Sequence, residues 1–199
     1  ESTSPMVRRA LARLREAESS ASRDPSVSMR EARSELERHA REASIAKTVH
    51  EAVHMLAFNC GLQRRSRSYP FWFTEGLAGS FETTEPRHNF GPTIEQEDIR
   101  AQLRSFDRDG RLMDMTELIG VVDASEVDSD RASVMYAMSN SFFRYLFRFE
   151  REGLAEYARA LWHAEARELS ADEHAALFRE YIGDEAVLGR RWLERWVEQ

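Results

Sequence analysis

Apolar residues recur three and four positions apart along most of the chain, and the elements this spacing predicts are helices. Residues 6–18 put Met6, Ala10, Leu11 and Leu14 on one face of an amphipathic helix that ends in a Ser/Ala/Arg/Asp/Pro loop. From Ser28 to about Phe58 the pattern stays helical, polar at first and then apolar through Ile45, Val49, Val53, Leu56 and Ala57. Asn59-Cys60-Gly61 supplies the stop, and the stretch fits either one long helix or two. A basic, Ser-rich segment from Gln63 to Pro70 leads into Phe71-Trp72-Phe73, where the chain re-enters the core. Thr74 is the expected N-cap of a short helix running to Phe81. Gly76 and Gly79 inside that helix cost stability, which points to close packing there.

After an irregular crossing over 85–92, further helices are predicted at Thr93 to about Phe106 and at Met115–Ile119, followed by an acidic loop from Asp123 to Asp130. Two long helices follow, Ser133–Glu150 and Leu154–Glu168, the first carrying Met135, Met138, Phe142, Phe143, Leu146, Phe147 and Phe149, an aromatic density that is mostly core. The pair Asp172–Tyr181 and Asp184–Glu198 closes the chain. With no internal repeat and no clear strand signal, the expected fold class is mainly α.

At 199 residues and 42% hydrophobic the chain can bury one sizeable core. Residues 1–44 read as an N-terminal helical and loop segment, the remnant of a trimmed subdomain, and 45–199 as the main domain. The formal net charge of −7 comes from interleaved acids and bases, so no basic stripe exists to neutralise phosphates and nucleic acid is excluded as an expected partner. No run of about 18 apolar residues suits a membrane span. The opening Glu1-Ser2-Thr3-Ser4-Pro5 lacks the apolar core of a signal peptide, but the chain starts without Met, as a processed product does. A secreted or cell-envelope location after loss of an upstream signal is compatible with this, and the compartment is left open. Cys60, the single cysteine, excludes an internal disulfide and is expected to be a small buried residue.

The chemistry concentrates at His50-Glu51-Ala52-Val53-His54. On a helix, His50 and His54 project one turn apart from one face and can converge on a single ion. Glu51 lies about 100° around the helix from His50, placed to reach a water beside the metal rather than the metal itself. So short a string arises by chance in some chains of this composition, and a catalytic zinc needs a third protein ligand and an open position. Glu75, 21 residues beyond His54 on the next helix, is the candidate. A glutamate in a helix's first turn is favoured by the dipole anyway, so Glu82 stays open as the alternative ligand, or as an outer hydrogen-bond partner of a ligating histidine. His39, His88, His163 and His174 are expected on the surface or as outer partners.

The two segments Thr48-Val-His50-Glu51-Ala-Val-His54-Met-Leu-Ala-Phe-Asn59-Cys-Gly61-Leu62 and Pro70-Phe-Trp72-Phe-Thr-Glu75-Gly76-Leu77-Ala78-Gly-Ser-Phe81-Glu82 together resemble the gluzincin zinc peptidases. They most resemble the bacterial DUF1570, or peptidase-MA-like, branch. Tyr136-Ala-Met-Ser139-Asn-Ser-Phe142-Phe-Arg-Tyr145-Leu146 and Phe178-Arg-Glu-Tyr-Ile-Gly183 extend the likeness over about residues 45–198. The resemblance implies a zincin-like helical domain holding one Zn2+ on His50, His54 and Glu75, with Glu51 activating water to hydrolyse a peptide or protein substrate. It also implies Tyr136 as a donor to the developing oxyanion, with Ser139 one turn later; the alternative for Tyr136 is a core aromatic. One departure is that the family places strands ahead of the HExxH helix whose edge can hold an extended peptide, whereas residues 1–44 here read as helix and loop. The competing class is a non-catalytic helical interaction or regulatory module that keeps a structural or vestigial zinc site; Glu51 counts against it, since a structural site gains nothing from a base.

Overall fold

Helix α5 (Ser129–Phe149) explains the architecture, because its sequence is apolar or small on almost every side from Val134 to Leu146 and all of it except Tyr136 is buried. Such a helix has to be wrapped by others. A computed structural model describes residues 25–67, 69–125, 127–164 and 168–197. Among them the elements are α1 (Pro25–Asn59), α2 (Phe71–Ser80), α3 (Glu97–Arg108), α4 (Met115–Gly120), α5, α6 (Arg151–His163), α7 (Ala171–Tyr181) and α8 (Glu185–Trp192), then a π-helical turn at Leu193–Val197. The expectation of a mainly helical chain holds, with no strand among the described residues. The helix expected over residues 6–18 lies outside them.

The chain divides into two compact units, Glu1–Thr48 with Thr83–Arg87, and Val49–Glu82 with His88–Gln199. In the first, the described part of α1 carries Arg33–Glu37 and Arg38–Glu42 pairs four residues apart, with His39 Nδ1 3.2 Å from Glu42. These are exposed or half-exposed contacts of small worth.

The second unit holds the core. Helix α5 packs against α2, α3 and α6, while α4 packs against α7 and α8. Trp72, fully buried, stacks on Tyr157 and meets Phe73, Phe142 and Phe178 edge-on, with ring centroids 5.6–5.9 Å apart. Trp192 Nε1 donates to Ser141 Oγ at 3.0 Å, satisfying the indole where it is buried.

Local chemistry sets the helix starts. Asp128 accepts from the backbone N–H groups of Asp130 and Arg131, so α5 begins four residues ahead of the expected Ser133. Asp114 and Asp184 cap α4 and α8 in the same way, and Ser170 with Glu173 forms a reciprocal capping box on α7. Helix α1 is one continuous helix through its stop, where Gly61 takes φ +80° and Gln63 N–H returns to Ala57 O at 2.9 Å.

Several expectations are corrected. Phe149, within the aromatic set expected to be mostly core, is 42% exposed. Cys60 is exposed, because it falls at the end of α1 where the chain leaves the helix. His174 is fully buried on α7 rather than at the surface, and burial lowers its pKa.

Candidate metal centre

Within the second unit, the C-terminal part of α1 and helix α2 bring the site together. His50 and His54 lie one turn apart on α1, their rings edge-to-face at 4.8 Å between centroids, with their Nε2 atoms 3.0 Å apart. Helix α2 supplies Glu75, whose Oε2 is 3.0 Å from His50 Nε2 and whose Oε1 is 3.4 Å from His54 Nε2. One ligand atom from each residue thus lies within 4.8 Å of the others, and all three side chains are half-buried.

The start of α2 differs from the expected one. Thr74 is not the cap; the helix begins at Phe71 after Pro70, whose ψ of 149° is extended as a residue entering a helix requires. Phe71 N–H is satisfied from outside the helix by Val121 O at 2.8 Å, while Thr74 Oγ donates back to Phe71 O at 3.2 Å. Glu75 therefore sits in the second turn, where the helix dipole gives little reason for an acid. The close packing inferred from the two glycines is present: a Cβ at Gly76 would stand 2.5 Å from Ser139 O and 2.8 Å from Phe143 Cβ. Only glycine lets α2 approach α5 this closely beside Glu75.

Glu82 lies one residue beyond the C-cap of α2. His50 Nδ1 donates to Glu82 Oε1 at 2.6 Å, on the ring edge opposite the Nε2 that faces Glu75 and His54. This contact leaves Nε2 directed at Glu75 and His54, the geometry of an outer hydrogen-bond partner, while Glu75 is the carboxylate grouped with the two histidines.

The electrostatics are those of a cation held among acids. Hydrogen bonding to Glu75, then to Glu82, raises His50 to about 9 against the pull of burial. For Glu75 burial acts upward, but the hydrogen bonds and charges of His50 and His54 outweigh it and hold the carboxyl at about 2. Glu75 is thus an anion at neutral pH, and the cluster presents two imidazoles and one carboxylate. Tetrahedral zinc bound at about 2.0–2.1 Å places its donors about 3.3 Å apart. The two imidazole nitrogens stand 3.0 Å apart and each is 3.0–3.4 Å from one of the two Glu75 oxygens, separations of that order, with one donor atom per residue inside 4.8 Å.

Glu51 is exposed on α1 beside His50. Tyr136, at 48% exposure, is not a core aromatic; its ring meets Phe71 edge-on at 5.0 Å. Partial burial, then the charges of Glu75, Glu51 and Glu82, raises its pKa. Ser139, one turn on, is fully buried under Gly76 rather than at the site. His88 and His163 are exposed, and His39 belongs to the first unit.

Sequence reasoning missed Arg144 and Asn140, both buried on α5, although a lone arginine inside Phe142-Phe143-Arg144-Tyr145-Leu146 was a visible signal. Residues 44–166 match the DUF1570 family, described as a protein of unknown function. No curated protein and no solved structure matches the chain.

Proposed function

We propose that this chain, which belongs to the DUF1570 family, is a zinc-dependent metallopeptidase of the gluzincin type. The observation that carries the reading is the convergence of His50, His54 and Glu75, with Glu51 exposed next to His50 on α1 and Glu82 bonded to His50 Nδ1. The donor set of two imidazoles and one carboxylate fits zinc and leaves a fourth position for water, as catalytic sites do. Zinc bound there would lower the pKa of a coordinated water and polarise a substrate carbonyl.

The chain's own groups do the rest. Glu51 takes the proton from the attacking water as the new C–O bond forms, and returns it to the leaving amine as the C–N bond breaks. The Tyr136 hydroxyl, held as a neutral donor by burial and by the surrounding carboxylates, donates to the oxygen on which charge develops. Half-burial of the cluster limits water access and strengthens these interactions.

One observation favours the second reading, a non-catalytic interaction module with a structural zinc. No strand is present among the described residues, so these offer no sheet edge to which an extended peptide could add. Cleavage of an unfolded protein substrate by zinc-reconstituted protein, with and without chelator, separates the two. Chelator-sensitive cleavage in wild type, lost in Glu51→Gln while that variant keeps its zinc, is the expected result. Turnover retained in Glu51→Gln overturns the peptidase assignment, and zinc retention without turnover in either protein leaves the interaction module.

A further inference from the structure

Arg144 is an unusual core residue: a guanidinium 2% exposed whose bonds run to backbone carbonyls and one amide. Its Nη2 donates to Ser80 O at 2.6 Å, its Nη1 to Gly91 O at 2.8 Å and also to Ile94 O, and its Nε to Asn140 Oδ1 at 2.8 Å. Asn140, fixed by that contact, donates through Nδ2 to Gly79 O at 2.9 Å and to Gln96 Oε1 at 3.2 Å. Gln96 in turn donates through Nε2 to Glu82 O at 3.0 Å. Glu82 N–H completes the circuit on Gly79 O at 3.1 Å.

Three side chains thus bind the carbonyls of Gly79, Ser80 and Glu82 where α2 runs out. A helix end normally leaves such carbonyls to water or to a glycine turn. Burying a cation is costly, and the carbonyl end of a helix is where a positive charge recovers part of that cost. What the expense fixes is the backbone of Glu82 at both its N–H and its C=O, with its carboxylate 2.6 Å from His50 Nδ1. Burial lowers Arg144 to about 10, with Glu82 and Asp98 acting upward, so the guanidinium stays charged at neutral pH.

We propose that Gln96, Asn140 and Arg144 are positioning residues whose output is the Glu82–His50 hydrogen bond, and through it the direction of His50 Nε2. The inference rests on the metal reading of the His50, His54 and Glu75 cluster. Loss of an outer partner of a metal-binding histidine typically weakens metal affinity by about 10–100-fold.

The test compares Gln96→Ala, Glu82→Ala and their double variant, with Arg144→Lys as a second probe of the network. Gln96 is only half-buried, so its variant is the one expected to keep the fold. Zinc affinity is read by competition with a chromophoric chelator, and the Hδ1 resonance of His50 by NMR in chelated and zinc-loaded protein. Gln96→Ala is expected to weaken zinc about tenfold and to move the Hδ1 resonance upfield at a nearly unchanged melting temperature. It should add nothing further in the Glu82→Ala background. Losses that multiply in the double variant, or a Gln96→Ala protein with wild-type affinity and resonance, overturn the proposal. If wild type binds no zinc, the metal reading fails, and the Hδ1 resonance in chelated protein still decides whether the network positions His50.

Discussion

Gly76→Ala isolates the contact that places Glu75. The added methyl would sit 2.5 Å from Ser139 O and 2.8 Å from Phe143 Cβ, where ordinary contact begins at 3.4 Å, so α2 and α5 must part by close to an ångström. Neither neighbour is the far end of a flexible side chain, so rotamer changes cannot absorb the clash. Overpacking of this kind costs about 1–3 kcal/mol, and the better helix propensity of alanine returns roughly 1 kcal/mol. Because backbone has to move, the overpacking cost lies at the upper end, giving a net loss of about 1–2 kcal/mol in urea unfolding of the chelated protein. Metal sites tolerate donor displacements of only about 0.2 Å, so zinc affinity is expected to fall by more than about tenfold as well. Gly79→Ala is the milder comparison: its nearest neighbour is the Asn140 side-chain nitrogen at 3.0 Å, which has to give by only a few tenths of an ångström, and a stability change under about 1 kcal/mol is expected. A Gly76→Ala protein as stable as wild type with undiminished zinc affinity would refute the claim that close helix approach sets the site.

Two further outcomes follow from the charges of the cluster. His50, raised to about 9, carries a proton on Nε2 at pH 7 that a metal must displace, so zinc binding is expected to release close to one proton from it. Calorimetry in buffers of different ionisation enthalpy should find that release fading above about pH 9; a buffer-independent enthalpy at pH 7 contradicts it. Without metal, the stabilisation from protonated His50 is complete below its unfolded value of 6.5 and is lost as pH rises through about 9. That from ionised Glu75 is complete above 4.5 and is lost as pH falls through about 2, so the chelated protein draws most from the pair between about pH 4.5 and 6.5. Tyr136→Phe should lower kcat by about 100-fold with KM and zinc content unchanged, and a kcat equal to wild type removes Tyr136 from the chemistry.

What could be read from the sequence divides along physical lines. His50, Glu51 and His54 were legible because a helix carries its own geometry: residues four apart meet wherever the helix lies. Glu75 was legible as a residue type at a suitable remove, but its place in α2 was not. Thr74 is a good cap by composition, yet the helix starts at Phe71 because Pro70 precedes it and Val121, from a distant loop, satisfies the first N–H. Local preference yielded to a tertiary bond. The same limit applies to His174 and Cys60, whose exposure depends on which neighbours arrive and not on their own chemistry. The network of Gln96, Asn140 and Arg144 was the least visible part, since its acceptors are carbonyls, which no side-chain pattern marks.

The most direct measurement is zinc content by elemental analysis of protein purified without a metal-affinity tag, reconstituted and dialysed, for wild type, Glu75→Ala and Glu51→Gln. One equivalent in wild type and in Glu51→Gln, with loss in Glu75→Ala, is the predicted result. No zinc in wild type, or equal zinc in Glu75→Ala, would contradict a site built from His50, His54 and Glu75.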